Sequence, residues 1–123
     1  MKACGDFILK LLNIRTVAHV QHLTPDGQPG SDARHRTLEA FYEALLPNVD
    51  RFAEAYMGCE EKIIEITGSS YKLEKDAIKM IRGVMEILKG ARAELADEPF
   101  LQQIIDDMSE TCAQTKFRLL FLK

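Results

Sequence analysis

Four stretches of this chain repeat apolar residues every three or four positions, and none alternates residue by residue as a half-buried strand would. That periodicity restricts the chain to helices packed by one side each, an all-α class. The cleanest pattern opens at Ser31, expected as the N-cap, and runs to about Met57. It carries Leu38, Phe41, Tyr42, Leu45, Leu46, Val49, Phe52, Ala53 and Tyr56. Pro47 falls inside it, but the pattern keeps its phase across the proline, so a bend near Glu43 is expected rather than a break.

A first helix is expected from roughly Asp6 to His22, with Phe7, Ile8, Leu11, Leu12, Ile14, Val17 and Ala18 on its apolar side. Thr24-Pro25-Asp26-Gly27-Gln28-Pro29-Gly30 stops it, because proline removes donors and glycine admits left-handed turns. After a connection at Gly58–Tyr71, in which Ile63-Ile64-Glu65-Ile66 reads equally as a helical turn or an extended piece, a third helix is expected over about Leu73 to Leu95. Gly83 and Gly90 share one of its faces, each costing about 1 kcal/mol relative to alanine, a loss that a close helix approach would offset. Asp97-Glu98-Pro99 should open a fourth helix, its acids and proline in the first turn, leading to an unusually apolar tail, Phe117 to Leu122. Met80, Met85 and Met108 read as core fillers. The economical packing of four single-striped helices is one antiparallel four-helix bundle spanning 1–123 as a single domain.

Composition narrows the function. A net charge of −3 with scattered lysine and arginine offers no basic face for a phosphate backbone, so nucleic acid is not expected as a partner. Cys4, Cys59 and Cys112 are odd in number and lack any Cys-x-x-Cys spacing, which points to reduced thiols and a cytoplasmic location rather than a disulfide framework. The apolar start is interrupted by Lys10 and Arg15 and reads as helix, not as a leader, and no apolar run reaches the roughly 20 residues that cross a bilayer. No membrane partner is expected. Triad, phosphate-loop and dinucleotide motifs are all lacking.

Chemistry concentrates in the first half, where His19, His22, His35, Glu39, Asp50 and Glu54 fall at helical spacing. Imidazoles and carboxylates are the ligands of iron, zinc and manganese. With His35 at zero on a helical wheel, Glu39, Asp50 and Glu54 lie near 40°, 60° and 100°, along one margin of an apolar face that runs from roughly 240° to 20°. The pairs His35/Glu39 and Asp50/Glu54 are roughly 16 Å or more apart along the axis, so one ion cannot bridge them within a chain. The short first loop can bring His19 and His22 beside His35 and Glu39, while Asp50 and Glu54 would need an antiparallel second helix from another copy. A homodimer, or a larger homo-oligomer, with two composite sites is the resulting expectation. Taken singly, each pair also reads as an ordinary solvated helix face, and His19 as a hydrogen-bonded interface residue.

Arg15-x-x-x-His19-x-x-His22, His35-x-x-x-Glu39, Asp50-x-x-x-Glu54, the run Phe52 to Gly58 and Leu101-Gln102-Gln103-Ile104-Ile105-Asp106 resemble the DNA-protection-during-starvation (Dps) mini-ferritins and small phage-encoded proteins of ferritin-like type. The resemblance implies a ferritin-like fold and iron oxidation at a two-fold interface. It assigns His22, His35 and Glu39 to one subunit's share of the site, and Asp50 with Glu54 to the other's. Leu23 stands where the resembled proteins usually carry tryptophan, Glu39 where aspartate is more usual, and no lysine-rich stretch is present. Two readings follow: a ferroxidase-type protein taking iron (alternatively zinc or manganese), or a non-enzymatic helical adaptor or virion component that lacks the metal chemistry.

Overall fold

A computed structural model describes residues 1–68 and 72–123. Four helices account for most of it: α1 (Lys2–Leu23), α2 (Ser31–Glu60), α3 (Ala77–Leu95) and α4 (Pro99–Phe121). No strand occurs among the described residues. α2 packs on α1 and α4, α3 packs on the same two, and α2 and α3 lie across the diagonal from one another. The chain is the four-helix bundle that the apolar periodicity requires.

Its connectivity follows from which ends meet. The end of α1 adjoins the start of α2 through His22 and His35, and Gln21 on α1 donates to the carbonyl of Glu74 just ahead of α3. Both α2 and α3 therefore run antiparallel to α1 and parallel to each other. The link over 61–76 must return along the bundle, a distance of roughly 28 Å given the rise of the 19 residues of α3. Part of that link, Ser69 to Tyr71, lies outside the described residues.

The interior is continuous. Leu11 and Ala18 of α1, Leu38, Phe41, Leu45, Val49 and Phe52 of α2, Ile81, Val84 and Leu88 of α3, and Ile105, Met108 and Cys112 of α4 are all essentially inaccessible. Each large apolar side chain so buried contributes about 1.5–3 kcal/mol relative to exposure. Met80 and Met108 fill the core and Met85 packs against it, as expected. Between helices, α4 is tied by consecutive acids: Asp106 accepts from both Nε and Nη2 of Arg92 on α3, at 2.8 and 3.2 Å, and Asp107 meets Arg51 of α2 at 3.4 Å. The Arg92 fork holds the Asp106 carboxyl below its ordinary range.

Several local expectations change. α1 begins at Lys2 rather than Asp6, and α2 continues to Glu60, unbroken through Pro47. Ser31 is not the cap: Gly30 is, at φ 89°, a left-handed conformation that glycine alone adopts without strain, and Ser31 is the first helical residue. α3 starts at Ala77 rather than Leu73 because Asp76 caps it, its Oδ1 accepting from the amides of Ile78 and Lys79 at 3.0 and 3.1 Å. Asp97 and Glu98 precede α4 instead of lying in its first turn, with Pro99 at the first helical position. Ile63 to Ile66 form no regular structure, with Ile64 alone partly buried.

The glycine expectation reverses. Among the described residues, a Cβ at Gly83 or Gly90 would meet nothing within 4 Å, so none of the four helices approaches there. The close approach is at Gly5, where an added Cβ would overlap the backbone carbonyl of Glu65. The 61–68 segment thus crosses directly over the first turn of α1, and the amide of Glu65 shares the Met1 carbonyl, at 3.4 Å, with that of Gly5, at 3.0 Å.

Two predictions test this packing. Gly5→Ala should destabilise the protein by about 1–3 kcal/mol by displacing the strap, whereas Gly83→Ala should stabilise the monomer by up to about 1 kcal/mol, both read as shifts in urea midpoint. Burial pushes the Cys4 thiol up to about 11, against a smaller pull from the N-terminal ammonium, and the Cys112 thiol up to about 12, while Cys59 is exposed. Aromatic disulfide reagent at pH 8 should therefore titrate one of the three thiols in the folded protein and all three in denaturant.

Candidate functional site

The loop over 24–30 is what brings the histidines together. Asp26 Oδ1 accepts from the Gln28 amide at 2.9 Å, Gln28 in turn accepts from the Ser31 amide at 2.9 Å, and Gly27 and Gly30 both take positive φ. The chain reverses in one tight turn. The last turn of α1 then lies beside the first turns of α2, with Arg34 on α2 donating to the carbonyls of Gln21 and Lys75, both at 3.2 Å.

At this junction His22 and His35 form a reciprocal pair. His22 Nδ1 donates to the backbone carbonyl of His35 at 2.7 Å, and His35 Nδ1 donates to that of His22 at 2.6 Å. A carbonyl oxygen can only accept, so each Nδ1 must carry its proton, and in the neutral ring the lone pair lies on Nε2. The rings stack with centroids 3.7 Å apart and planes 13° from parallel. Because the His22 carbonyl belongs to the last turn of α1, which lacks helical donors, the His35 ring also acts as its C-terminal cap.

A second stack adjoins the first. His19 lies on the Tyr42 ring at 4.6 Å, the Arg15 guanidinium carbon lies 5.3 Å from that ring's centroid, and His22 meets Tyr42 edge-on at 5.7 Å. Burial, then the charges of Glu39 and Glu43, raise the Tyr42 hydroxyl above its ordinary range, with Arg15 opposing. Tyr42 is accordingly a neutral phenol at physiological pH.

Of the six potential ligands read from the sequence, the fold gathers the three imidazoles. Glu39 is half-buried one turn beyond His35, while Asp50 and Glu54 are exposed further down α2, and none of the three carboxylates forms an ion pair among the described residues. Among the described residues, no three His, Cys, Asp or Glu side chains of one chain stand close enough to hold a metal ion. The expected convergence of His19, His22, His35 and Glu39 on one ion is therefore not reached within the chain, since His19 faces Tyr42 and the other two rings face each other. The roles of Arg15 and Tyr42 were not legible beforehand. Arg15 stands one turn before His19 and Tyr42 two turns after His35, but either spacing equally describes an ordinary helix face.

A family model described as a family of unknown function (DUF5856) matches residues 28–119, which is most of the chain. The chain belongs to the DUF5856 family. The match spans His35, Glu39, Tyr42, Asp50 and Glu54 but begins after Arg15, His19 and His22. The DUF5856 chain is also similar to an uncharacterized 14.6 kDa protein from the mobD-ri intergenic region of Enterobacteria phage T4, 30% identical over 90 residues that cover 72% of this chain and 69% of the phage protein. No solved structure matches. No helix among the described residues is long and apolar enough to cross a membrane.

The reciprocal pair makes a thermodynamic prediction. His35→Ala should cost about 1–3 kcal/mol by removing a donor and stranding the His22 carbonyl at the end of α1, and His22→Ala about 0.5–1.5 kcal/mol, since the His35 carbonyl keeps its helical amide. The double variant should cost less than the two together, by at least about 0.5 kcal/mol, because either substitution also removes the stack. Denaturant unfolding of the four species measures this directly.

Proposed function

We propose that the protein binds a first-row divalent metal, iron foremost and zinc or manganese as alternatives, at a site completed by a second copy. The observation that carries this reading is the pair of Nδ1–H bonds on His22 and His35. Metal-binding imidazoles are commonly held by a backbone carbonyl in this way, which fixes the tautomer and leaves Nε2 as the donor atom. Glu39 would add one carboxylate from the same chain, and the exposed Asp50 and Glu54 of an antiparallel α2 would supply the hard oxygen ligands that favour Fe(III). The long link between parallel α2 and α3 adds support, since ferritin-like bundles have one such crossover. With iron as substrate, the reaction would be the loss of one electron from each bound Fe(II) to dioxygen or peroxide. His19, stacked on Tyr42, would position His22 rather than touch the metal.

A second reading rests on the same junction. Reciprocal bonding already satisfies both Nδ1 groups and caps α1, which suits an interaction protein whose histidines serve structure alone.

Glu39→Gln and Glu54→Gln separate the two readings without touching the histidine pair. On the shared-site reading each variant binds little iron or zinc by itself, while the mixed dimer recovers one of two sites, measured by metal content per protomer after gel filtration. A wild-type protein that retains no iron or zinc, or a confirmed mixed dimer that recovers none, leaves the structural reading standing.

A further inference from the structure

Two surfaces of the bundle are left uncovered by the described residues, and their chemistry is complementary. The first is a groove of about 310 Å3 between α1 and α3, with Phe7, Ile87 and Leu95 in its floor and Asp6, Glu86 and Glu94 on its rim; Lys10 also lines it. Gly90 belongs to its wall and Gly83 lies two turns earlier on the same face of α3. Both leave open space where a side chain would stand. The bare backbone costs α3 about 1 kcal/mol per glycine with no compensating contact from the described residues.

The second surface is the end of α4. Phe117 and Phe121 are 54% and 68% exposed, their rings 5.6 Å apart, with Leu122 half exposed beside them. Lys116, Arg118 and Lys123 surround them, and no acidic residue follows Glu110. Within a chain of net charge −3 this is a locally cationic, aromatic end. None of these three cations, nor Asp6, Glu86 or Glu94, forms an ion pair with a described residue.

The surfaces cannot meet within one chain. The end of α4 lies by the start of α2, where Lys123 is next to Gly30, whereas the groove flanks the N-terminal half of α1 at the opposite end of the bundle. They also face different ways. By the helical turn of about 100° per residue, Phe117 and Phe121 lie roughly opposite the buried Leu101 and Met108, pointing away from the diagonal neighbour α1, while the groove opens between α1 and α3.

We propose that the α4 end of one copy seats in the α1–α3 groove of the next. Phe117 and Phe121 would cover the apolar floor and the glycine backbone, and Lys116 and Arg118 would face Glu86 and Glu94. Such a contact joins unlike surfaces, so it propagates head to tail unless a ring closes. It is independent of the two-fold α2 pairing and of any metal.

Sedimentation velocity tests it on the full chain, using the wild type, Phe117→Ser/Phe121→Ser and Glu86→Lys/Glu94→Lys, all changes at exposed positions. The wild type should grow in mass with concentration beyond any α2-paired dimer, and should shrink as salt is raised from about 0.05 to 0.5 M. Each double variant should associate at least about tenfold more weakly. Mixing the two should restore larger species, because one keeps an intact groove and the other an intact α4 end. Gly83→Ala/Gly90→Ala should weaken association while stabilising the monomer. Metal content per protomer should be unchanged in every variant, which separates this result from the shared-site test. A wild type that never exceeds a dimer, or double variants that still grow, would overturn the proposal. So would wild-type protein that stays small yet sediments with phosphatidylglycerol vesicles, which would assign the α4 end to an anionic lipid surface.

Discussion

Burial of one side of α2 is the constraint on which the remaining architecture depends. Over 30 residues it presents Leu38, Phe41, Leu45, Val49 and Phe52 as an unbroken apolar stripe, and two helices must flank that stripe to keep it from water. α1 and α4 do so. α3 is then left to cover what α1 and α4 still expose, which places it diagonally from α2 and forces the long return of the 61–76 link. The tight turn at 24–30 and the long link are thus two consequences of one requirement. The end of the bundle where α1 stops and α2 and α3 start is secured differently, by side chains donating to backbone carbonyls: Gln21 to Glu74, Arg34 to Gln21 and Lys75, and the two histidines to each other.

The helices, their stripes and most core residues were legible because apolar periodicity is a local property that each segment carries in itself. Boundaries were less so. Leu73 reads as helix by period, but Asp76 wins because its carboxylate satisfies two amides at once, and Leu73 is left exposed. The glycines show the limit most clearly. Gly83 and Gly90 looked like contact positions by spacing and are open, while Gly5 gave no signal and bears the tightest backbone approach, because its neighbour, Glu65, lies in a segment with no periodicity.

At the candidate site, sequence spacing was enough to bring His19, His22 and His35 to one corner of the bundle. It could not reveal orientation. Whether an imidazole turns toward an ion, a tyrosine or a carbonyl depends on χ angles and on the depth of the loop, and here two rings turn toward each other's backbone and the third toward Tyr42. Asp50 and Glu54 lie too far along α2 to join the histidines in one chain, and both are exposed.

The strap over Gly5 changes how the amino-terminal end of α1 behaves in time. A first helical turn ordinarily frays, since its amides lack partners and its residues can peel away one by one. Here Met1 offers one carbonyl to both Gly5 and Glu65, and the Glu65 backbone rests where a side chain on residue 5 would otherwise stand. Peeling α1 from its start means lifting the strap as well. Two segments some sixty positions apart in the chain are thereby tied, and the least regular part of the fold lends its hold to the first turn of a helix.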